Sequence, residues 1–373
     1  MTSTYFKDII VLKIRILSFL EQFNQMEENM KKHLLIVLAL ILAVLSFSAC
    51  GQENGNGHEH EFGEWVIITP ATNTENGLKE QTCSLCGDVN RETIPALGSK
   101  GLKFEQNSDG TYSVAGIGTC TDTKVVIPAT YEGKPVTGID FFAFRDCSSL
   151  TSVVIPDGVT GIGSGAFKYC SSLTSIVMPE SMMFMGDYVF EGCSSLTSVV
   201  IPESVTSIDK LAFFCCSSLT GIVIPESMTS IDRLAFGGCS SLTSVTFSNG
   251  VTSIGYEAFY GCRSLTSVVI PESVTSIGER AFFGCSSLTS VTFSNGVTSI
   301  GDGFAGLDSL TSVVIPESVT SIGDEAFLSC DGLTSIQFGG TVEQWKAISF
   351  GSDWNKNIGN CTVTCTDGTN IYY

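Results

Sequence analysis

Histidine is nearly missing from this chain of 373 residues: His33, His58 and His60 are the whole complement. Beyond residue 60, imidazole-based acid–base or nucleophilic chemistry is therefore excluded. Positive charge is also scarce. The 19 Lys and Arg face 38 Asp and Glu, giving a formal net charge of −19, which argues against nucleic acid or an anionic membrane face as a partner. No G-x-G-x-x-G follows a strand and there is no phosphate loop, so the usual nucleotide cradles are absent. The longest apolar run, Leu34 to Leu45, falls short of the roughly 20 residues a membrane-spanning helix needs. With no catalytic constellation in sight, no enzyme activity is expected.

What the chain does have is a beat. Cys147, Cys170, Cys193, Cys216, Cys239, Cys262 and Cys285 follow one another at intervals of 23 residues. A fixed period of this size signals a solenoid, in which no single coil can bury a core and each leans on its neighbours. The unit is plain from Leu265 to Phe282, Leu-Thr-Ser-Val-Val-Ile-Pro-Glu-Ser-Val-Thr-Ser-Ile-Gly-Glu-Arg-Ala-Phe. Val268 and Ile270 alternate with Ser267 and Val269 as strand residues do, so the two pairs face opposite sides. Pro271 lacks a ladder donor and closes the strand. Val274 and Ile277 form a second short apolar pair, and Gly278 permits a turn. The stretch from Ala281 to Cys285 is expected to be helical or 3₁₀.

One step is short, because Leu288 to Leu310 spans 22 residues. The alanine of the preceding coil's Ala-Phe is missing, and Leu307 lands in the cysteine slot. A slot that accepts leucine is apolar, so the column cysteines are expected to be buried thiols packing as small hydrophobes, although neighbours about 5 Å apart permit disulfides. Whether Cys361 and Cys365 pair stays open.

The text L-T-S-V-x-I-P-E-S-V-T-S-I-G-x-x-A-F-x-x-C-S-S resembles that of the BspA-like leucine-rich repeat proteins, a family of bacterial surface proteins. The resemblance covers about residues 101–373. It implies a β-rich α/β solenoid, a leucine-rich repeat stack of 23-residue coils with N- and C-terminal caps, each coil a short strand, a turn and a short helical segment. It also implies adhesion or binding at the cell surface.

The rest of the chain divides around that stack. Residues 1–29 read as an over-long N-terminus, with Met26 and Met30 both open as starts. Residues 30–50 read as a signal peptide. Its end, Leu45-Ser-Phe-Ser-Ala-Cys50, resembles a bacterial lipoprotein box in which Cys50 takes lipid, with Phe47 standing where leucine is usual; ordinary cleavage after Ala49 is the alternative. Residues 51–57 form a flexible tether. Residues 58–99 resemble a small Cys-x-x-Cys module of Gram-positive surface proteins, which usually carries a further cysteine where this chain has Asn73. Two thiolates and an imidazole make up most of a tetrahedron, so Cys83, Cys86 and His60, with His58 as a fourth, are a candidate zinc site. A Cys83–Cys86 disulfide or a metal-free module are the alternatives. Residues 100–135 form an N-terminal cap with a hairpin signal at Asp109-Gly110, residues 136–338 the solenoid, and residues 339–373 a C-terminal cap. In that last cap Thr341 to Ile348 reads as an amphipathic helix, and Trp345 and Trp354 as lid packing.

Two outward columns are candidates for binding. The strand face, represented by Ser198, Val200, Val223, Ser244, Thr246, Ser267, Val269, Ser290 and Thr292, is an uncharged ribbon of the kind that leucine-rich solenoids present to protein ligands; alternatively these residues merely favour strand. The second column, Asp157, Glu180, Glu203, Glu226, Glu272 and Glu317 with Asn249 and Asn295 replacing the acid in two coils, is an acidic ridge, read as a solvated edge that discourages aggregation; attraction of a basic partner or loosely held calcium is the alternative. The expected partner is a protein ligand such as a host matrix protein, or a cell-surface glycan. A structural spacer of the envelope and a carbohydrate-binding module are rival readings. No cofactor is expected in the solenoid. The protein is expected to be a monomer on the outer face of the bacterial membrane, touching it only through the lipid.

Overall fold

The computed structural model describes residues 60–73, 75–94 and 96–373. The expectations for residues 1–29, for the signal peptide 30–50 with Cys50, for the tether 51–57 and for His58 lie outside the described residues.

Most repeats lay down two strands, one more than the sequence suggests. Ser267–Ile270 and Ser290–Phe293 pair in parallel with Ser267 opposite Ser290, and Ser312–Ile315 follows with Ser290 opposite Ser312. The 22-residue coil therefore stays in register. The second apolar pair makes a ladder of its own: Ser253–Ile254 pairs with Ser276–Ile277, and Ser299–Ile300 with Ser321–Ile322. Alternation works as the residue types dictate, with Val268 and Ile270 buried and Ser267 and Val269 exposed.

The expected helical segment is a correction. Among the described residues of the repeats, Ala281 to Cys285 and its equivalents are successive turns. In all but the shortened coil two positions stand in left-handed backbone conformation and break any helix. The first holds Leu234, Glu257, Arg280 and Glu325; the second holds Tyr169, Cys215, Gly261 and Gly284. Side-chain-bearing residues bear a cost of roughly 1 kcal/mol there. The amides around them do not turn back four residues but reach across to the next coil: Glu257 N–H bonds Glu279 O at 3.0 Å and Phe259 N–H bonds Ala281 O at 2.8 Å. Exchange between coils thus replaces exchange within a helix.

Two columns run through the interior. One phenylalanine per coil stacks from Phe144 to Phe327, with Phe213 and Phe236 nearly parallel at 5.2 Å between ring centres and 1° between planes. Trp354 ends the stack edge-on to Phe327 and is packed against Trp345, so both tryptophans are lid residues. Beside the rings run the thiols. From Cys170 to Cys330 each buried column cysteine donates its S–H to the carbonyl of a phenylalanine one coil back, at 3.0 to 3.2 Å. Leu307 fills the same slot, fully buried. In its shortened coil Gly303 stands where two residues would, and a Cβ there would lie 2.9 Å from Ile277 Cγ2.

The hydroxyls do more than solubilise strands. Thr243 Oγ1 donates to Thr220 O at 2.9 Å and Thr252 Oγ1 to Thr229 O at 3.0 Å, two parallel threads of the same contact. A third thread starts after the prolines, where Ser273 donates to Val251 O at 2.6 Å. No buried side-chain nitrogen or oxygen among the described residues lacks a partner.

The ends follow the same logic. Lys103–Gln106 and Tyr112–Gly116 form the expected hairpin, with Gly110 left-handed at its tip, and Tyr112–Gly116 then pairs with Lys134–Ile139. At the other end a short helix, Val342–Ala347, carries a capping box between Thr341 and Gln344, which satisfies two otherwise orphaned amides. Around it, Ser349–Phe350 and Thr362–Thr364 extend the two ladders by one more degenerate coil. Cys361 and Cys365 are both buried as free thiols.

Candidate functional site

The ribbon residues of the first ladder come together on one face, with breaks. Val177, Val200, Val223 and Val269 are 57 to 73% exposed, unusual for a row of branched aliphatics. Ser244, Thr246 and Ser267 are exposed beside them, while Ser290 and Thr292 are half-buried. Ser198 and Val200 belong to no strand, so the expected continuous ribbon is interrupted there. It is interrupted again between Ser244–Thr246 and Ser267–Ile270, which fall in separate sheets.

At this second break lies a shallow cleft of about 460 Å³, lined by Thr246, Phe247, Asn249, Val269, Pro271 and Glu272 among others. The coil here carries Phe247-Ser248-Asn249-Gly250 in place of the usual Ile-Pro-Glu-Ser. Phe247 is only half-buried and meets the Phe259 ring edge-on. Near-identity of the repeats hides such a place from the sequence; the one available signal was the substituted tetrad.

The acidic column is exposed throughout. Against it stands one buried carboxylate that sequence reasoning missed. Glu191 is 7% exposed, accepts from Lys168 Nζ at 2.7 Å and from the Tyr169 hydroxyl at 3.0 Å, and so clamps two successive coils. Lys168 also lies 5.0 Å from the centres of the Tyr169 and Tyr188 rings. Its position in the turn segment, filled by phenylalanine, tyrosine or glycine in several other coils, was the only hint.

Among the described residues one group brings metal-ligating atoms together. His60, Cys83 and Cys86 offer donor atoms within 4.8 Å of one another. Cys86 Sγ lies 3.3 Å from His60 Nδ1, and Asp88 Oδ2 lies 3.8 Å from the same nitrogen. The loop is a tight turn, closed by the Cys83 N–H on Asp88 O and the Gly87 N–H on Cys83 O, with Gly87 left-handed. Burial pushes the Cys83 thiol up, but the backbone N–H groups of Leu85 and Cys86, with His60 and Cys86 side chains, outweigh it and bring it down to about 6. The Asp88 N–H favours a Cys86 thiolate, yet burial, Cys83 and the Asp88 carboxylate together hold that thiol up. Cys83 is thus the thiolate of the pair and Cys86 the thiol beside it.

Stacked parallel coils of 23 residues with an apolar strand face define a leucine-rich repeat solenoid. Residues 120–242 and 229–358 match the model of the BspA type leucine rich repeat region, in six copies, and the chain belongs to that family. Similar solved structures include a leucine rich cell surface protein from Faecalibacterium prausnitzii, 27% identical over 69% of this chain and 98% of that one, with a TM-score of 0.49. A leucine-rich repeat protein from Bacteroides ovatus is 22% identical over 69% and 91%, with a TM-score of 0.37. The pneumococcal vaccine antigen PcpA is 16% identical over 79% and 98%, with a TM-score of 0.41. These TM-scores all lie below 0.5, and membership of the family rests on the repeats. No curated protein matches the chain.

Proposed function

We propose that this chain is a cell-surface binding protein, anchored through lipid on Cys50, that performs no chemistry and takes a macromolecular ligand on its strand face. The observation that carries this reading is the row of exposed valines, Val177, Val200, Val223 and Val269. Leaving branched apolar surface in water is unfavourable by about 25 cal/mol per Å², and covering it with a partner recovers that energy. The ribbon is flat and free of charge, which suits an extended protein surface. A similar solved structure is described as a cell surface protein, in keeping with the proposed location.

The test is binding of the purified protein to arrayed host matrix and plasma proteins, bacterial surfaces and glycans. A ligand on the ribbon should lose about tenfold or more in affinity on Val200→Glu with Val223→Glu, while circular dichroism stays unchanged. Binding that survives both substitutions would sink the ribbon as the site. Silence across every array, with the fold intact, would favour the spacer reading.

A further inference from the structure

We propose that His60, Cys83, Cys86 and Asp88 form a tetrahedral site for a borderline-soft divalent metal, zinc being the fitting ion. Two classes of sulfur in this molecule make the case by contrast. In the solenoid the buried thiols are donors, each S–H aimed at a carbonyl, as Cys239 is at Phe213 O at 3.2 Å. In the loop the sulfurs face other ligand atoms instead: Cys83 Sγ, Cys86 Sγ and a ring nitrogen of His60 lie within 4.8 Å of one another, the convergence of two sulfurs and an imidazole that a tetrahedral metal site requires.

The spacing agrees. A tetrahedron built on Zn–N and Zn–O of about 2.0 Å and Zn–S of about 2.3 Å has edges of about 3.3 to 3.8 Å. Cys86 Sγ to His60 Nδ1 is 3.3 Å, and the donor atoms of His60, Cys83 and Cys86 all lie within 4.8 Å of one another; Asp88 Oδ2, 3.8 Å from His60 Nδ1, stands just outside that set and reaches the fourth corner by a turn of its exposed side chain. Cys83 is buried and fixes the inner corner, while Cys86 is exposed, so an ion has a way in. Two sulfurs and an imidazole select zinc over calcium or magnesium, which prefer oxygen. Asp88 supplies the position for which the sequence had suggested His58.

The purified, reduced full chain is titrated with Co²⁺ alone and then with Zn²⁺ alone. The expected result is one ion per chain, a thiolate-to-cobalt charge-transfer absorption, and its loss when zinc displaces the cobalt. Cys83→Ser and His60→Ala should weaken binding by a hundredfold or more and Asp88→Asn by about tenfold, with His58→Ala unchanged. Circular dichroism of the solenoid should not move in any variant. Absence of the cobalt absorption in the reduced chain would overturn the site. Loss on His58→Ala with retention on Asp88→Asn would overturn the Asp88 assignment.

Discussion

At the scale of single residues, the hydroxyls hold more of this molecule together than their exposure suggests. Thr243 N–H and Oγ1 both bond Thr220 O, each at 2.9 Å. Thr243→Val keeps the shape and the amide bond but removes the hydroxyl donor. It should lower stability by about 1 kcal/mol, read from the denaturant midpoint; no shift would mean the thread is ornamental. Period-two alternation in the sequence told which way Ser267, Val268, Val269 and Ile270 face. It cannot tell that a threonine side chain bends back to a carbonyl of the neighbouring coil, because that partner is set by the stacking distance. The thiols teach the same lesson. Leu307 showed that their slot is apolar, whereas the carbonyl each sulfur addresses became visible only in three dimensions.

At the scale of elements, the first strand of most coils was legible from Val-x-Ile, the terminal hairpin from Asp109-Gly110, and the last helix from the amphipathic run Thr341 to Ile348. The turn segment was not. Glu257, Arg280 and Glu325 stand in left-handed conformation without being glycine, so nothing in their identity warned against a helix. Amides exchanged between coils decided the matter. Because each coil's stability comes mainly from its neighbours, damage at one end should stay local. Trp354→Ala removes the ring that covers Phe327, a truncation of a kind that costs about 3 to 5 kcal/mol. Amide hydrogen exchange in residues 321–338 should accelerate strongly, while residues 221–246 keep their protection. Uniform acceleration along the chain would refute nearest-neighbour stability.

For the solenoid as a whole, the buried sulfurs set an alkaline limit. Burial pushes the thiols of Cys193 and Cys330 up to about 12, against an ordinary value near 9. Above pH 9 the unfolded chain releases these protons and the native state keeps them, so the unfolded state binds fewer protons and stability falls as pH rises. Their contribution is complete below pH 9 and is lost progressively towards pH 12, at about 1.4 kcal/mol per pH unit for each thiol concerned. Melting temperature measured from pH 8 to 11 should drop steeply, and less so in Cys193→Leu with Cys330→Leu. Equal slopes in variant and parent would refute the linkage. At this scale, too, the candidate site outran the sequence. Near-identical coils gave little reason beyond the substituted tetrad Phe247 to Gly250 to favour one place on the ribbon, and the cleft beside Thr246 and Val269 arises where two sheets part.

The in-register pairing of Ser253 with Ser276 in one ladder and of Ser267 with Ser290 in the other has an evolutionary corollary. Excising or duplicating any block of 23 residues joins chain ends that already look onto the same surroundings, so both lids survive the edit. Length is thereby a freely adjustable quantity in this architecture. Recombination between its repeated codons can shorten or extend the reach of the protein one notch at a time, without inventing a single new interface.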